Sequence, residues 1–162
     1  MIVANCSPLI IFGKQGRLDL LKCCFRQVRI PSAVYDEIMK KSESPEARAI
    51  EKARTEGWLR IEPVSVSTFL ETTKIGKGEK EAITLAQKQE CMLLVDDDGA
   101  KSYASLLGVE AHGSLFVLFY SVKKKHCTRQ EVQQLLEAML KNGMYLSTIT
   151  YARFLELLQK EH

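Results

Sequence analysis

Three consecutive carboxylates, Asp96-Asp97-Asp98, follow directly on the apolar run Met92 to Val95, and a second polar cluster, Asn5-Cys6-Ser7, follows the apolar run Ile2-Val3-Ala4. Neighbouring carboxylates repel one another, so such a run either spreads into solvent or is neutralised by a cation. Both readings stand on these residues alone: a hydrophilic turn in which Asp97 or Asp98 caps the next helix, or oxygen donors for a hard divalent ion. A calcium EF-hand is excluded, because it needs alternating acidic positions before its glycine and a glutamate six beyond it, where Gly99 has Ser105. Zinc is not expected either. The five cysteines form no C-x-x-C pair and the three histidines are isolated from them and from one another.

The elements that must position these clusters alternate between strand and helix. Ile2-Val3-Ala4 reads as a strand, followed by Ser7-Pro8 as N-cap and first helical residue. Arg17 to Phe25 reads as helix, Val28 to Ile30 as strand, and Ser32 as the cap of a helix in which Val34 and Ile38 share a face. Ser44-Pro45 opens a helix that Gly57 ends, and Trp58 to Ile61 returns to strand. Residues 62–76 carry no clear period. Glu79 to Gln89 is helix, Met92 to Val95 strand, Ala100 to Leu107 helix, the region near Val109 a short strand, and Ser114 to about Val122 an apolar helix. Two amphipathic helices close the chain, one marked by Val132, Leu135, Leu136, Met139 and Leu140 and one by Tyr151, Phe154, Leu155 and Leu158. Such alternation predicts a parallel sheet covered on both faces, with functional groups gathered beyond the carboxyl ends of its strands.

Composition sets the outer limits. The 162 residues are 46% hydrophobic, enough for one core, so one domain over 1–162 is expected, with 1–145 as its body and 146–162 as a C-terminal helix packed on it. No apolar run approaches the roughly 18 residues a bilayer span needs, and Met1 to Pro8 lacks the features of a secretory signal; the expectation is a cytoplasmic chain with reduced, mostly buried thiols and no membrane contact. The 23 basic and 20 acidic residues leave a net charge of +3, which does not by itself declare a nucleic-acid binder. Lys74, Lys77 and Lys80 flank Glu79, and Lys123-Lys124-Lys125 with His126 and Arg129 form a second basic group; each suits phosphate, and the lysine run equally suits a solvated helix C-terminus.

Five segments in order, Ile2 to Ile10, Arg17 to Leu21, Ile30 to Ile38, Gly78 to Ile83 and Leu93 to Asp97, resemble successive signatures of the PIN-domain superfamily, over roughly residues 1–145. The nearest resemblance is to a prokaryotic branch of unknown function related to the toxin ribonucleases of VapBC toxin-antitoxin modules. It implies a three-layer α/β/α sandwich with a mostly parallel central sheet, a helical C-terminal tail, and an acidic pocket that holds Mg²⁺ or Mn²⁺ for cleaving RNA. Carried over by position, the resemblance makes Asn5, Glu37, Glu79 and Asp97 the metal ligands, with Asn5 standing where aspartate is usual. Asp96 lies beside Asp97 as an outer or alternative ligand, orienting the metal-bound water. Ser7 takes the place of a hydroxyl residue that faces the metal and is also the expected helix cap. RNA as substrate, a small antitoxin protein as partner and a homodimer follow from the same resemblance. Asn5 removes one negative charge from the set, so two functions stay open: a metal-dependent endoribonuclease, or a non-catalytic PIN-like module that binds RNA or protein through a degenerate site.

Overall fold

The computed structural model describes residues 1–161. Its centre is a five-stranded sheet of β1 (Ile2–Ala4), β2 (Val28–Pro31), β3 (Leu59–Glu62), β4 (Met92–Leu94) and β5 (Ala111–His112), in the order β3-β2-β1-β4-β5. Every pairing is parallel, which goes one step beyond the mostly parallel sheet expected. The connections are α1 (Cys6–Lys14) and α2 (Asp19–Phe25), then α3 (Ser32–Met39) and α4 (Pro45–Glu56), then α5 (Thr68–Glu71) and α6 (Lys77–Gln89), then α7 (Asp98–Leu106). After β5 come α8 (Ser114–Lys123), α9 (Arg129–Lys141) and α10 (Thr148–Lys160).

The central strands β1 and β4 are short and wholly apolar because helices cover both faces, whereas β3 at the edge carries Arg60 and Glu62. Alternate side chains serve opposite layers. Ile2, Ala4 and Leu94 enter a core with residues of α1 to α4 and α8 to α10, whereas Val3, Leu93 and Val95 join residues of α6 and α7 on the other face. From α10, Phe154 and Leu158 are buried in the first of these cores. The helices α1 and α4 cross so closely that a Cβ on Gly13 would stand 2.8 Å from Glu46 Cβ and 2.9 Å from Glu46 Cα, so only glycine fits there.

Several caps differ from the sequence reading. Ser7 does not cap α1: the helix starts two residues earlier, at Cys6, with Asn5 extended at the N-cap and no side-chain cap bond. Pro31, not Ser32, precedes α3. Ser44 does cap α4, its Oγ accepting from Ala47 N, and Gly57 ends that helix at φ +87°. The strand expected near Val109 falls at Ala111–His112, since Val109 still completes the turn off α7 by donating its N–H to Ala104. Cys23, read as one of the buried thiols, is exposed, while Cys6 and Cys127 are buried.

The chain builds β1, β2 and β3 outward in one direction, then returns to lay β4 on the opposite side of β1. The direction of winding therefore reverses between β1 and β4, and the crevice beyond their carboxyl ends is where an open parallel sheet accepts ligands. Asn5 leaves β1 there with its N–H still bonded to Leu94 O at 2.9 Å, and Asp96 and Asp97 follow β4.

Candidate metal centre at the carboxyl edge of the sheet

Asn5, Glu37 and Glu79, separated by up to 74 positions in the chain, line one cavity of about 380 Å³ with Cys6, Ser7, Asp36, Lys40 and Lys77. Each arrives from a different element: Asn5 from the end of β1, Glu37 from α3, Glu79 from the first turn of α6. The wall between them is Gly78. A Cβ on Gly78 would lie 3.4 Å from Glu37 Oε2 and 3.5 Å from Asn5 Oδ1, so the missing side chain leaves a cradle beside those two oxygens.

Each carboxylate is tethered by one oxygen. Glu37 Oε2 accepts from Cys6 Sγ at 3.1 Å, Glu79 Oε2 from the Gly76 N–H at 3.2 Å, and Asp97 Oδ2 from the Ala100 N–H at 2.8 Å as the N-cap of α7. The second oxygen of each makes no hydrogen bond to any described residue. Asn5 is 5% exposed, yet its side-chain amide has no hydrogen-bond partner among the described residues. Neither amide atom is among the fully buried side-chain atoms left without a partner, so the group opens onto the cavity, where a ligand can reach it.

Electrostatics agree with crowding of like charge. Desolvation holds the Glu79 carboxyl above the usual carboxylate range; the Gly76 N–H opposes this, and the negative charges of Asp97 and then Glu37 add to it. The influence of Asp97 on Glu79 joins the end of β4 to the cavity, though Asp97 does not itself line it. Burial pushes the Cys6 thiol far upward, reinforced by its hydrogen bond to Glu37, so it stays a protonated donor to that carboxylate.

The fit to a hard dication is one of donor type: one amide oxygen and three carboxylates, all oxygen, with an untethered oxygen on each. Among the described residues, no three of His, Cys, Asp and Glu stand close enough as placed to hold a metal ion together, so the fit is of donor type and not of geometry.

The model of a family described as DUF3368, PIN domain, matches residues 1–160. The chain belongs to this PIN-domain family. Among solved structures, a PilT N-terminus domain protein, SSO1118 from Sulfolobus solfataricus P2, superposes with a TM-score of 0.50 at 15% identity, covering 91% of this chain and 100% of that one, and so shares the fold. No curated protein matches the sequence. PIN-domain membership points to nuclease-type function on RNA with a divalent ion. No helix among the described residues is long and apolar enough to cross a membrane.

Within this PIN domain, two acidic residues occupy places the sequence did not reveal. Asp96, expected beside the metal, is turned away: its Oδ1 accepts from the Ser114 N–H at 2.7 Å and its Oδ2 from Ser114 Oγ at 2.8 Å. Both oxygens are spent on the start of α8, and a Cβ on Gly113 would strike Asp96 Oδ1 at 2.7 Å. Asp96 thus anchors α8 and fixes the backbone from which Asp97 projects. Ser7 is exposed on the second residue of α1 and lines the cavity mouth, consistent with contact to a ligand but not with capping.

The residue overlooked in the sequence is Glu81. It is 6% exposed, and its Oε2 accepts from the Ala33 N–H at 2.9 Å, satisfying a donor in the first turn of α3 from the side of α6. Ala33 and Glu37 stand one helical turn apart, so this bond sets the helix that carries Glu37 against the helix that carries Glu79. Its sequence trace is the second glutamate of Gly78-Glu79-Lys80-Glu81. Replacing Glu81 by Ala leaves the Ala33 N–H unpaired in a confined place and is expected to lower stability by about 1–3 kcal/mol, measured by urea titration. Replacement by Gln, which keeps an acceptor oxygen, is expected to restore most of that loss.

Proposed function

We propose that this PIN domain is a metal-dependent endoribonuclease that uses Mg²⁺ or Mn²⁺, serves as the toxin of a toxin-antitoxin pair in the cytoplasm, and works as a homodimer. The observation that carries the catalytic reading is the shared cavity of Asn5, Glu37 and Glu79, whose Glu79 also feels the charge of Asp97. Asn5, Glu37 and Glu79 come to one cavity at the reversal point of the sheet from three separate elements, and Asp97 adds its charge from a fourth. Collected like charges cost stability unless a cation offsets them.

In this reading Asn5 Oδ1, Glu37, Glu79 and Asp97 would hold the ion. A bound dication lowers the pKa of a nearby water and offsets charge that develops on phosphate. The protein's own residues do the rest. Gly76 N–H, Cys6 Sγ and Ala100 N–H each restrain one carboxylate, so the free oxygens are presented without searching rotamers. Lys40 and Lys77 stand on the cavity wall, where they would hold the phosphates of a substrate strand in place without reading its sequence.

The test is cleavage of a structured RNA by the purified chain in Mn²⁺. Substituting Asp97→Asn or Glu79→Gln is expected to slow cleavage by at least about 100-fold, since even outer-shell partners of metal ligands are worth about 10–100-fold. Cleavage that continues at the natural rate in both variants overturns the site. The rival, a binding module without catalysis, draws on Asn5 in place of a carboxylate. It is the outcome in which the natural chain retains RNA and cuts none at any Mn²⁺ concentration.

A further inference from the structure

Away from the acidic cavity, the flank of α8 carries an aromatic stack whose Phe25 and Phe116 pack against the core while each of its rings keeps a margin at the surface. His112 at the end of β5 lies over Phe116 with centroids 4.1 Å apart and planes 15° from parallel. Phe116 stacks on Tyr120 at 5.4 Å and 17°, and Tyr120 on Phe25 of α2 at 5.7 Å and 2°. All four rings remain half-exposed. At the far end, Lys124 Nζ stands 5.3 Å from the Tyr120 ring. Around that end the exposed cations Lys22 and Arg26 of α2 flank Phe25, and Lys123, Lys125 and His126 flank Lys124.

We infer that this strip is a binding path for single-stranded RNA, leading from the basic end of α8 to the carboxyl edge of the sheet. The inference rests on the proposal that RNA is the substrate, and names the surface that would hold it. A parallel stack of rings with a free margin offers π-surface that unpaired bases can lie against and extend, and cations beside it meet the phosphates. A protein partner would favour an apolar patch depleted of charge, the opposite of a strip that ends among five exposed basic residues and a histidine. The direction is right as well. The 10 residues of helix α8 place its two ends about 15 Å apart. The His112 end is bonded through its carbonyl to Val95 N at 2.8 Å, one residue before Asp96, and β5 lies two strand spacings, about 10 Å, from β1 and Asn5. Of the acidic groups near the path, Glu110 pairs with His112 and Asp19 with Arg17, while Glu131 and Glu161 share a depression with Lys125, His126 and Arg129 at the basic end.

The experiment is fluorescence anisotropy of a labelled, unstructured oligouridylate titrated with the full chain in EDTA, so that no cleavage occurs. Tyr120→Leu and Phe116→Leu keep apolar volume, and each is expected to weaken binding roughly tenfold, the effect of losing one stacked base. The triple variant Lys123→Ala, Lys124→Ala, Lys125→Ala changes only exposed residues, and is expected to make the slope of log affinity against log salt shallower by about 2. Unchanged affinity in the leucine variants together with an unchanged salt slope in the triple variant overturns the path. So does a change of elution volume in Tyr120→Leu with RNA affinity intact, which would assign the strip to a second protein chain. Failure here is separable from failure of the cavity: Glu79→Gln should lose Mn²⁺-dependent cleavage and keep oligouridylate affinity, whereas the strip variants should do the reverse on a substrate short enough to occupy only the cavity.

Discussion

Without metal and at neutral pH, the Glu79→Gln variant is expected to melt at a higher temperature than the natural chain, and in Mn²⁺ this order should invert. The first half follows from the raised proton affinity of Glu79, caused by desolvation and by the charges of Asp97 and Glu37. A carboxyl whose folded pKa lies above its unfolded value contributes stability fully below the unfolded pKa, about 4.3 for Glu, and that contribution is lost as pH rises through the folded pKa. At neutral pH the natural chain has therefore lost it. Glutamine imitates the protonated state permanently and can still accept from the Gly76 N–H, so the difference between the two proteins should shrink toward zero as pH is lowered through the carboxylate range. The second half follows from mass action. At a free ion concentration about 100 times Kd the natural chain gains about 2.7 kcal/mol, which for a chain of this size is about 5–10 °C in Tm. The variant lacks a negative ligand and should gain little. Calorimetry in EDTA and in Mn²⁺, at two pH values, checks all four corners; an equal Mn²⁺ increment in both proteins removes Glu79 from the ion site.

This trade of stability for binding explains which parts of the molecule were legible in the sequence. The strands were readable because burial on both faces leaves an unbroken apolar run, as in Met92-Leu93-Leu94, and the chemistry was readable because polar clusters stop those runs at the ligand-accepting edge. What could not be read is orientation. Glu79 and Glu81 are two residues apart on a helix, hence about 200° apart around its axis. One looks into the cavity and the other toward the first turn of α3, and nothing in their spacing says which. The aspartate run has the same ambiguity: only the packing of α8 shows that Asp96 is consumed by Ser114 while Asp97 keeps one oxygen free. Residues 62–76 resisted because their contacts with the core, Leu70 in the short helix α5 and the partly buried Val64, Val66 and Ile75 around it, fall at no helical or strand period. Ser7 was misplaced as a cap by two residues and Ser32 by one, because Asn5 and Pro31 already have the extended backbone a cap requires.

The Asn5→Asp substitution should reproduce the Glu79→Gln experiment in mirror image. Asn5 is buried, its amide unpartnered, and its Oδ1 shares the cradle beside Gly78 with Glu37 Oε2. A carboxylate there adds a further negative charge to a group of acids that already holds the Glu79 proton too tightly, so in EDTA the variant is expected to melt below the natural chain at neutral pH. With an ion present the sign changes. A unit charge about 4 Å from a monovalent opposite is worth about 4 kcal/mol at an effective dielectric of about 20, and most of it is offset by desolvation. A remainder of about 1.4–2.8 kcal/mol corresponds to roughly 10- to 100-fold tighter Mn²⁺ binding by titration calorimetry. Cleavage by the variant should then reach its half-maximum at a correspondingly lower Mn²⁺ concentration. If its Mn²⁺ affinity equals that of the natural chain, Asn5 does not face the ion, and its unpaired amide needs a different explanation. If affinity rises and cleavage does not follow, the cavity binds the ion without using it, which is the behaviour of the binding module and not of the nuclease.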